Sequence, residues 1–166
     1  MGVDASGKPT FSFRPGDLLD AQEVARFHTE CWREAYRGIV PQEYLDRVTV
    51  ADREVRWRAR LTPGDRRTVL ALSRDQVVGV VSWGHSGVPS LPSLHLMSLY
   101  VAASHRSHGV ADQLLARSIG SQPAHLLVFD SNDRAQGFYR RHGFAPDGHQ
   151  EVDDDTGVLE RRMVRW

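Results

Sequence analysis

Residues 99–111 read LYVAASHRSHGVA, an apolar strand-like run that passes through a short loop into an amphipathic run. A strand that leads through a loop into a helix leaves the first backbone N–H groups of the helix unpaired, and such groups bind anions. Gly109 and Ala111 have small side chains that let an anion approach these groups, and Arg106 adds a positive charge. The stretch therefore predicts a phosphate-binding loop between a strand and a helix.

The spacing of apolar residues on either side of this loop predicts further helices and strands. In chain order we predict a strand at 11–13, helices at about 21–36, 42–47 and 51–60, strands at 68–72, 76–83 and 93–101, a helix from the loop to about 119, a strand at 126–129, a helix after Asn132, and strands from Phe144 onward and over 157–164. We expect the helix at 51–60 to be mostly solvent-facing and Gly79 to mark a β-bulge. This order is typical of a mixed α/β sheet with helices on both faces.

Length and composition limit the class of protein. The 166 residues suffice for a single domain over 10–166 that follows a flexible segment 1–9. Because 21 basic residues balance 21 acidic ones, no net charge favours nucleic acid or a membrane surface. Cys31 is the single cysteine, which excludes an internal disulfide and favours a cytoplasmic location. Eight histidines lack metal-ligand spacing, and no stretch is apolar enough for a membrane helix, so we expect neither a metal site nor a membrane anchor.

A second motif spans residues 132–144, NDRAQGFYRRHGF, in which Asn132 can cap a helix and Gly143 suits its left-handed end. Together the two motifs resemble the signatures of the GNAT superfamily of acetyl-CoA-dependent N-acetyltransferases. The loop pattern R/Q-x-x-G-x-G/A is matched by Arg106, Gly109 and Ala111, and the pattern N-x-x-A-x-x-F-Y-x-x-x-G-F is matched by Asn132, Ala135, Phe138, Tyr139, Gly143 and Phe144. Residues 31–46, CWREAYRGIVPQEYLD, are more loosely similar to the first two helices of many members.

The resemblance implies a particular α/β fold. We expect a mixed, mostly antiparallel central sheet of six to seven strands, flanked by about four to five helices and splayed between the fourth and fifth strands. Gln136 and Gly137 depart from the family pattern, in which an aliphatic residue usually follows Ala135. Because a glycine inside a helix costs about 1 kcal/mol relative to alanine, we expect this departure to weaken the packing of the helix.

The acetylation of an amine sets three chemical requirements. An amine with a pKa of about 10.4 is neutral in only about one molecule in 2500 at pH 7, so a base must accept its proton. The attack builds an oxyanion on the thioester, which needs an N–H donor, and the departing thiolate needs an acid.

The resemblance implies which residues meet these requirements. Acetyl-CoA, the implied cosubstrate, would contact the splayed strand and the loop through Leu99, Tyr100, Val101, Arg106, Ser107, His108, Gly109, Val110 and Ala111, and its pantetheine arm would contact Asn132. Tyr139 matches the usual general acid, although a buried tyrosine is also a common core residue. We place acceptor selection on Trp32 and Tyr36, which also fit a helix core by their periodicity.

The general base is predicted among the histidines. His95 lies six residues before Val101, where some family members have a catalytic glutamate, and an unperturbed imidazole pKa of about 6.5 suits this role. His28 and His85 are the other candidates, and each of the three could instead be a structural histidine. Cys31 lies on the apolar stripe of the first helix, where a small hydrophobic residue is expected rather than an acylated nucleophile.

These observations predict an N-acetyltransferase that passes an acetyl group from acetyl-CoA to a primary amine by direct attack in a ternary complex. A non-catalytic acyl-CoA-binding sensor or interaction module with the same fold is the alternative. The amine acceptor is left open between small molecules and peptides. Exposed strands at the ends of the sheet would allow a homodimer.

Overall fold

The structure, a computed structural model, describes residues 10–166, so the predicted flexible segment 1–9 lies outside the described residues. The elements are β1 (Ser12–Pro15), α1 (Ala21–Ala35), α2 (Gln42–Arg47), α3 (Val50–Leu61), β2 (Arg67–Ser73), β3 (Gln76–His85), β4 (Leu94–Val101), α4 (Val110–Ser118), β5 (Ala124–Phe129), α5 (Asp133–Arg141), β6 (Ala145–Val152) and β7 (Leu159–Arg165). Every predicted helix and strand is present, with its ends shifted by a few residues. Over these residues, no helix combines the length and apolar character needed to cross a membrane.

The seven strands form one sheet in the order β1-β2-β3-β4-β5-β7-β6. All neighbouring strands are antiparallel except β4 and β5, which are parallel. The pairing of β4 with β5 is limited to Leu94 with Ala124 and His95 with His125, and the strands part beyond these residues. The predicted mixed, mostly antiparallel sheet with a splay between its fourth and fifth strands is confirmed.

Each of the two strand pairs that β3 makes contains a β-bulge. In β4, Leu96 pairs with Trp83 and Ser98 with Ser82, which leaves Met97 as an extra residue. A bulge bends its strand, and this one lies where β4 leaves β5. The bulge between β2 and β3 places Val78 as the extra residue beside Gly79, as predicted.

Helices cover both faces of the sheet, also as predicted. On one face, α1 and α3 pack on β2 and β3 around a core that includes Trp57, Leu70 and Val80. On the other face, α4 and α5 pack on the middle strands around Leu114 and Leu126. Helix α3 is mostly solvent-facing, as predicted, and it buries Arg53, Trp57 and Leu61 against α1 and the sheet.

Helix α5 has the predicted ends and an unexpected interior. The side chain of Asn132 accepts a hydrogen bond from the backbone N–H of Ala135 at 3.1 Å, and Gly143 has a φ of +83°. Gln136, which departs from the family pattern, is buried and hydrogen-bonded. Its buried amide donates to the carbonyl of Asp130 at 2.8 Å and accepts from Arg140 at 2.9 Å, so it fixes the loop between β5 and α5.

Replacing Gly137 by alanine should stabilise the protein, because a Cβ there would meet no atom within 4 Å and alanine loses less backbone entropy on folding. We expect the free energy of unfolding in urea to rise by about 0.5–1 kcal/mol. In the contrasting variant Gly79→Ala, the added Cβ would lie 2.9 Å from Cδ1 of the buried Leu114, which should cost about 1–3 kcal/mol. A less stable Gly137→Ala protein would contradict this description of α5.

Candidate functional site

The parting of β4 and β5 opens a cavity of about 540 Å³, which we call the central cavity. It is lined by residues 96–101 of β4 and 127–129 of β5, by 105–107 and 109–112 around the start of α4, by Asn132, Arg134, Ala135, Phe138, Tyr139 and Arg141, by His28, Trp32, Ala35, Tyr36, Tyr44 and Val48, by Arg53, Arg56, Arg60 and Arg66, and by Asp153, Asp155, Thr156 and Glu160. The predicted site residues Leu99, Tyr100, Val101, Asn132, Tyr139, Trp32 and Tyr36 are therefore brought together in one cavity.

The loop before α4 has the geometry of an anion site. Ser107 and Gly109 have φ angles of +64° and +75°, and α4 begins at Val110. Within residues 10–166, none of the backbone N–H groups of 107–111 meets an acceptor. Consecutive free N–H groups at a helix N-terminus favour a phosphate, so the local geometry agrees with the prediction from the sequence.

Arg106 does not contribute the free positive charge that the sequence suggested. Its guanidinium donates to the carboxylate of Glu34 on α1 at 2.7 and 3.1 Å, and its Nε donates to the carbonyl of Val101 at 3.2 Å. The side chain therefore ties the loop to α1 and β4. His108, also predicted to bind the cofactor, is absent from the lining of the cavity, and its Nδ1 lies 2.8 Å from the carbonyl of Arg106.

Two other arginines supply positive charge to the cavity. Arg134 and Arg141 of α5 line it and are exposed, and neither has a carboxylate partner within residues 10–166. His142, next to Arg141, lies 2.9 Å from Asp112 near the start of α4, so this end of α5 is close to the loop. The sequence analysis missed both arginines, although they lie within the second motif.

Three tyrosines meet in the middle of the cavity. The hydroxyls of Tyr36 and Tyr100 lie 3.1 Å apart, and burial raises the pKa of both. Burial also raises the pKa of Tyr139, whose hydroxyl makes no hydrogen bond to residues 10–166. The Tyr139 hydroxyl is therefore protonated at neutral pH and available to a ligand. Trp32 packs on Tyr36 with ring centroids 5.1 Å apart, and both rings line the cavity.

None of the three candidate histidines combines access to the cavity with a free basic nitrogen. His95 lies at the closed end of the splay, stacked on His125 with ring centroids 4.7 Å apart, and does not line the cavity. Burial, with His125 and Arg66, lowers its pKa to about 4. His85 is exposed at the end of β3 and also lies outside the lining.

His28 does line the cavity, but its environment opposes protonation. Its Nδ1 accepts a hydrogen bond from the indole N–H of Trp57 at 3.1 Å. Burial, together with the charges of Arg53 and Arg60, holds the pKa of His28 well below its ordinary value. His28 is therefore a neutral structural histidine in the wall of the cavity.

Glu160 is a titratable residue of the cavity that the sequence analysis missed. It lies on β7 opposite Phe129, and burial, reinforced by Asp153 and Glu151, raises its pKa to about 7. Its carboxylate makes no hydrogen bond to residues 10–166. The sequence places Glu160 inside a predicted strand, but only the insertion of β7 between β5 and β6 brings it to the cavity.

The described residues were also compared with what a cysteine nucleophile or a metal site requires. Cys31 is buried outside the lining of the cavity, and burial raises the pKa of its thiol to about 12. From residue 10 onward, no group of three or more His, Cys, Asp or Glu side chains is placed to hold a metal ion.

Comparisons with known proteins agree with this geometry. Residues 64–146 match a family model described as an acetyltransferase (GNAT) domain. The chain is 27% identical over 140 residues to a probable N-acetyltransferase of Mycobacterium tuberculosis, Rv2775, covering 81% of this chain and 80% of that protein. It is 26% identical over 109 residues to an uncharacterized N-acetyltransferase of Bacillus subtilis, YuaI, covering 63% of this chain and 60% of that protein.

Solved structures share the fold. The PaiA N-acetyltransferase from Thermoplasma acidophilum, in complex with coenzyme A, matches 92% of this chain and 98% of its own with a TM-score of 0.65 and 18% identity. An acetyltransferase from Thermus thermophilus matches 94% of this chain and 96% of its own with a TM-score of 0.68 and 22% identity.

Proposed function

The chain belongs to the GNAT family of acetyltransferases and is an acyltransferase with acetyl-CoA as cosubstrate, and from this we propose that it acetylates a primary amine by direct attack in a ternary complex. The proposal rests on the free backbone N–H groups at 107–111, which belong to the loop that borders the cavity between the parted strands. A diphosphate bound there would direct the thioester into the same cavity.

In this proposal the cosubstrate follows the edge of β4 that β5 leaves unpaired. The diphosphate lies on the N–H groups of 107–111, with positive charge from Arg134 and Arg141. The pantetheine arm pairs with the backbone of β4 over 99–101, on the edge that β5 leaves unpaired, and passes Asn132. A backbone N–H on this edge then donates to the thioester carbonyl, where negative charge develops during attack.

The proton transfers are assigned to two residues. Glu160 takes a proton from the acceptor ammonium, directly or through one water, and the neutral amine attacks the thioester carbonyl. The tetrahedral intermediate collapses as the C–S bond breaks and the amide forms. Tyr139 donates its phenolic proton to the departing sulfur, so that free coenzyme A leaves as the thiol. The phenolate then takes up the second proton of the acceptor nitrogen through water, which leaves the neutral amide, and Glu160 releases the first proton to solvent.

Glu160 is favoured over His95 as the base by its position and its pKa. Glu160 lines the cavity, and its pKa of about 7 suits proton transfer near neutrality. His95 remains the hypothesis from the sequence, but it lies at the closed end of the splay and outside the lining of the cavity that includes Tyr139. Trp32 and Tyr36 are assigned to the acceptor because they line the cavity on the side of α1.

The proposed function is tested by thiol release from acetyl-CoA over a broad panel of primary amines, together with calorimetric titration of the protein with coenzyme A. We expect saturable binding of coenzyme A and amine-dependent release of its thiol. Tight binding without thiol release for any amine would support the sensor alternative instead. No binding at all would contradict the assignment of the loop.

Tyr139→Phe removes the proposed acid and keeps the ring. We expect kcat to fall by a factor of about 10² to 10⁴, the usual contribution of a general acid, because the thiolate must leave unprotonated. The Kd for acetyl-CoA, measured by calorimetry, should change little. Tyr44→Phe, a cavity tyrosine on α2, is the control. Equal losses of turnover and acetyl-CoA affinity in Tyr139→Phe would contradict the acid role.

Glu160→Gln should change the shape of the pH profile. A base must be deprotonated, and its pKa of about 7 predicts that wild-type kcat/KM rises through pH 7 and then levels off. In Glu160→Gln, kcat/KM should be lower at neutral pH and continue to rise toward the pKa of the amine itself, because only neutral amine can then react. His95→Ala should keep the wild-type pH profile of kcat/KM. If His95→Ala shows the altered profile and Glu160→Gln keeps that of the wild type, the role of Glu160 is refuted.

A further inference from the structure

A group of arginines on helix α3 and on the segment after it lines the central cavity. Arg53, Arg56 and Arg60 are spaced by three and four residues, so they lie on one face of α3, and Arg66 joins them before β2. We call Arg53, Arg60 and Arg66 the arginine cluster. Within residues 10–166, none of these three has a carboxylate within ion-pair distance, whereas Arg56 lies 3.6 Å from Asp155.

Arg53 is the most deeply placed member of the cluster. It is 8% exposed, and its Nε is buried without a hydrogen-bond acceptor. Its Nη1 lies 3.3 Å from Nδ1 of His28, and its guanidinium lies 4.8 Å from the centroid of the Trp32 ring. Neither the neutral His28 nor an aromatic ring carries a compensating charge, and a buried cation without a counter-ion is energetically costly.

Arg60 and Arg66, the rest of the cluster, are partly buried. Burial lowers the pKa of Arg60 to about 10 and lowers the pKa of Arg66. Arg60 stacks on Trp57 at 5.2 Å. Three guanidiniums kept close together, without a carboxylate among the described residues, leave an uncompensated positive region in the wall of the cavity.

Negative charge in the cavity lies on β7 and the segment before it, where Asp155 approaches Arg56 of α3. Glu160 and Asp153 lie beside the tyrosines that surround the proposed reaction centre, where an acceptor ammonium would be bound. An acceptor that spans the two regions would present its amine to Glu160 and an anionic group to the arginines. Both ends of such a molecule would meet groups of opposite charge.

We propose, on the basis of the acetyltransferase function above, that the arginine cluster binds an anionic group of the acceptor. The acceptor is then a primary amine that also carries a carboxylate or a phosphonate, rather than a polyamine or another purely cationic amine. Bidentate guanidinium contacts suit both kinds of oxyanion.

The position of the cluster argues against a role in binding coenzyme A. The proposed diphosphate site lies at the start of α4, which packs on one face of the sheet, whereas α3 packs on the other face with α1. Arg60 and Arg66 also border a second depression of about 630 Å³ beside the junction of β1 and α1. Anions from solution can therefore reach Arg60 and Arg66 without crossing the cofactor site.

The substrate test compares amines with and without an anionic group. Glycine, β-alanine, 4-aminobutyrate and 6-aminohexanoate are each compared with the corresponding carboxamide. Aminomethylphosphonate and 2-aminoethylphosphonate test a phosphonate in place of the carboxylate, and the dipeptide glycylglycine tests a peptide carboxylate. Thiol release should show a kcat/KM at least tenfold higher for the best carboxylate or phosphonate than for its uncharged match. Activity confined to glycylglycine would indicate that the anion is a peptide carboxylate rather than that of a free amino acid.

The double variant Arg60→Gln/Arg66→Gln tests the cluster itself. We expect kcat/KM for the anionic amines to fall about 10- to 100-fold, the loss of a charge-assisted contact, with little change for the carboxamides. Arg53→Lys should show a smaller loss in the same direction. Arg58→Gln is the matched control, because Arg58 is an exposed residue of α3 paired with Glu54 at 2.8 Å. The Kd of coenzyme A should be the same in all four proteins.

A binding measurement separates this proposal from the proposed function. Trp32 and Trp57 stack on Arg53 and Arg60, so saturable quenching of tryptophan fluorescence by methylphosphonate is expected in the wild type and not in the double variant. Quenching without turnover of any amine would support the anion site and refute the acetyltransferase proposal. No quenching and no preference for anionic amines would overturn the anion site, as would a loss of coenzyme A affinity in the double variant.

Discussion

The site depends on the separation of β4 from β5. Paired strands satisfy their backbone groups with each other, and parallel pairing between these two strands stops after two residues. The Met97 bulge bends β4 where the pairing ends, and the freed strand edge then faces a cavity instead of a neighbour. The cavity and the exposed backbone edge thus follow from one irregularity in the sheet, and the loop at 107–111 borders the same cavity.

The chain has no net charge, but positive and negative side chains are grouped separately in the lining of the cavity. The totals of basic and acidic residues are equal, yet the arginine cluster, Glu160 and the α5 arginines occupy separate parts of one wall. Buried charges interact more strongly than solvated ones because water screens them less. The local field, rather than the net charge, therefore governs which ligands fit.

The sequence predicts the parts of this molecule that depend on local patterns. The apolar spacing along α1, the Asn132 cap and the strand–loop–helix segment before α4 are set by residues close together in the chain, and all are confirmed. The ion pair of Arg106 with Glu34 joins residues 72 positions apart, and no local pattern indicates it. Glu160 reaches the cavity through the order of the strands, and the arginines of α3 reach it through the packing of α3 on α1. Such long-range contacts have no signature in a single sequence.

The two proposed proton-transfer residues show how one cavity can hold an acid and a base at the same pH. Burial raises the pKa of both Tyr139 and Glu160, because it disfavours the charged form of each. The same cause has opposite functional results. A phenol whose pKa rises from its high ordinary value stays protonated and can donate, whereas a carboxyl raised to about 7 is half ionised at neutrality and can accept. Partial burial beside Asp153 and Glu151 is therefore sufficient to give a glutamate the titration range usually associated with histidine, as the proposed role of Glu160 requires.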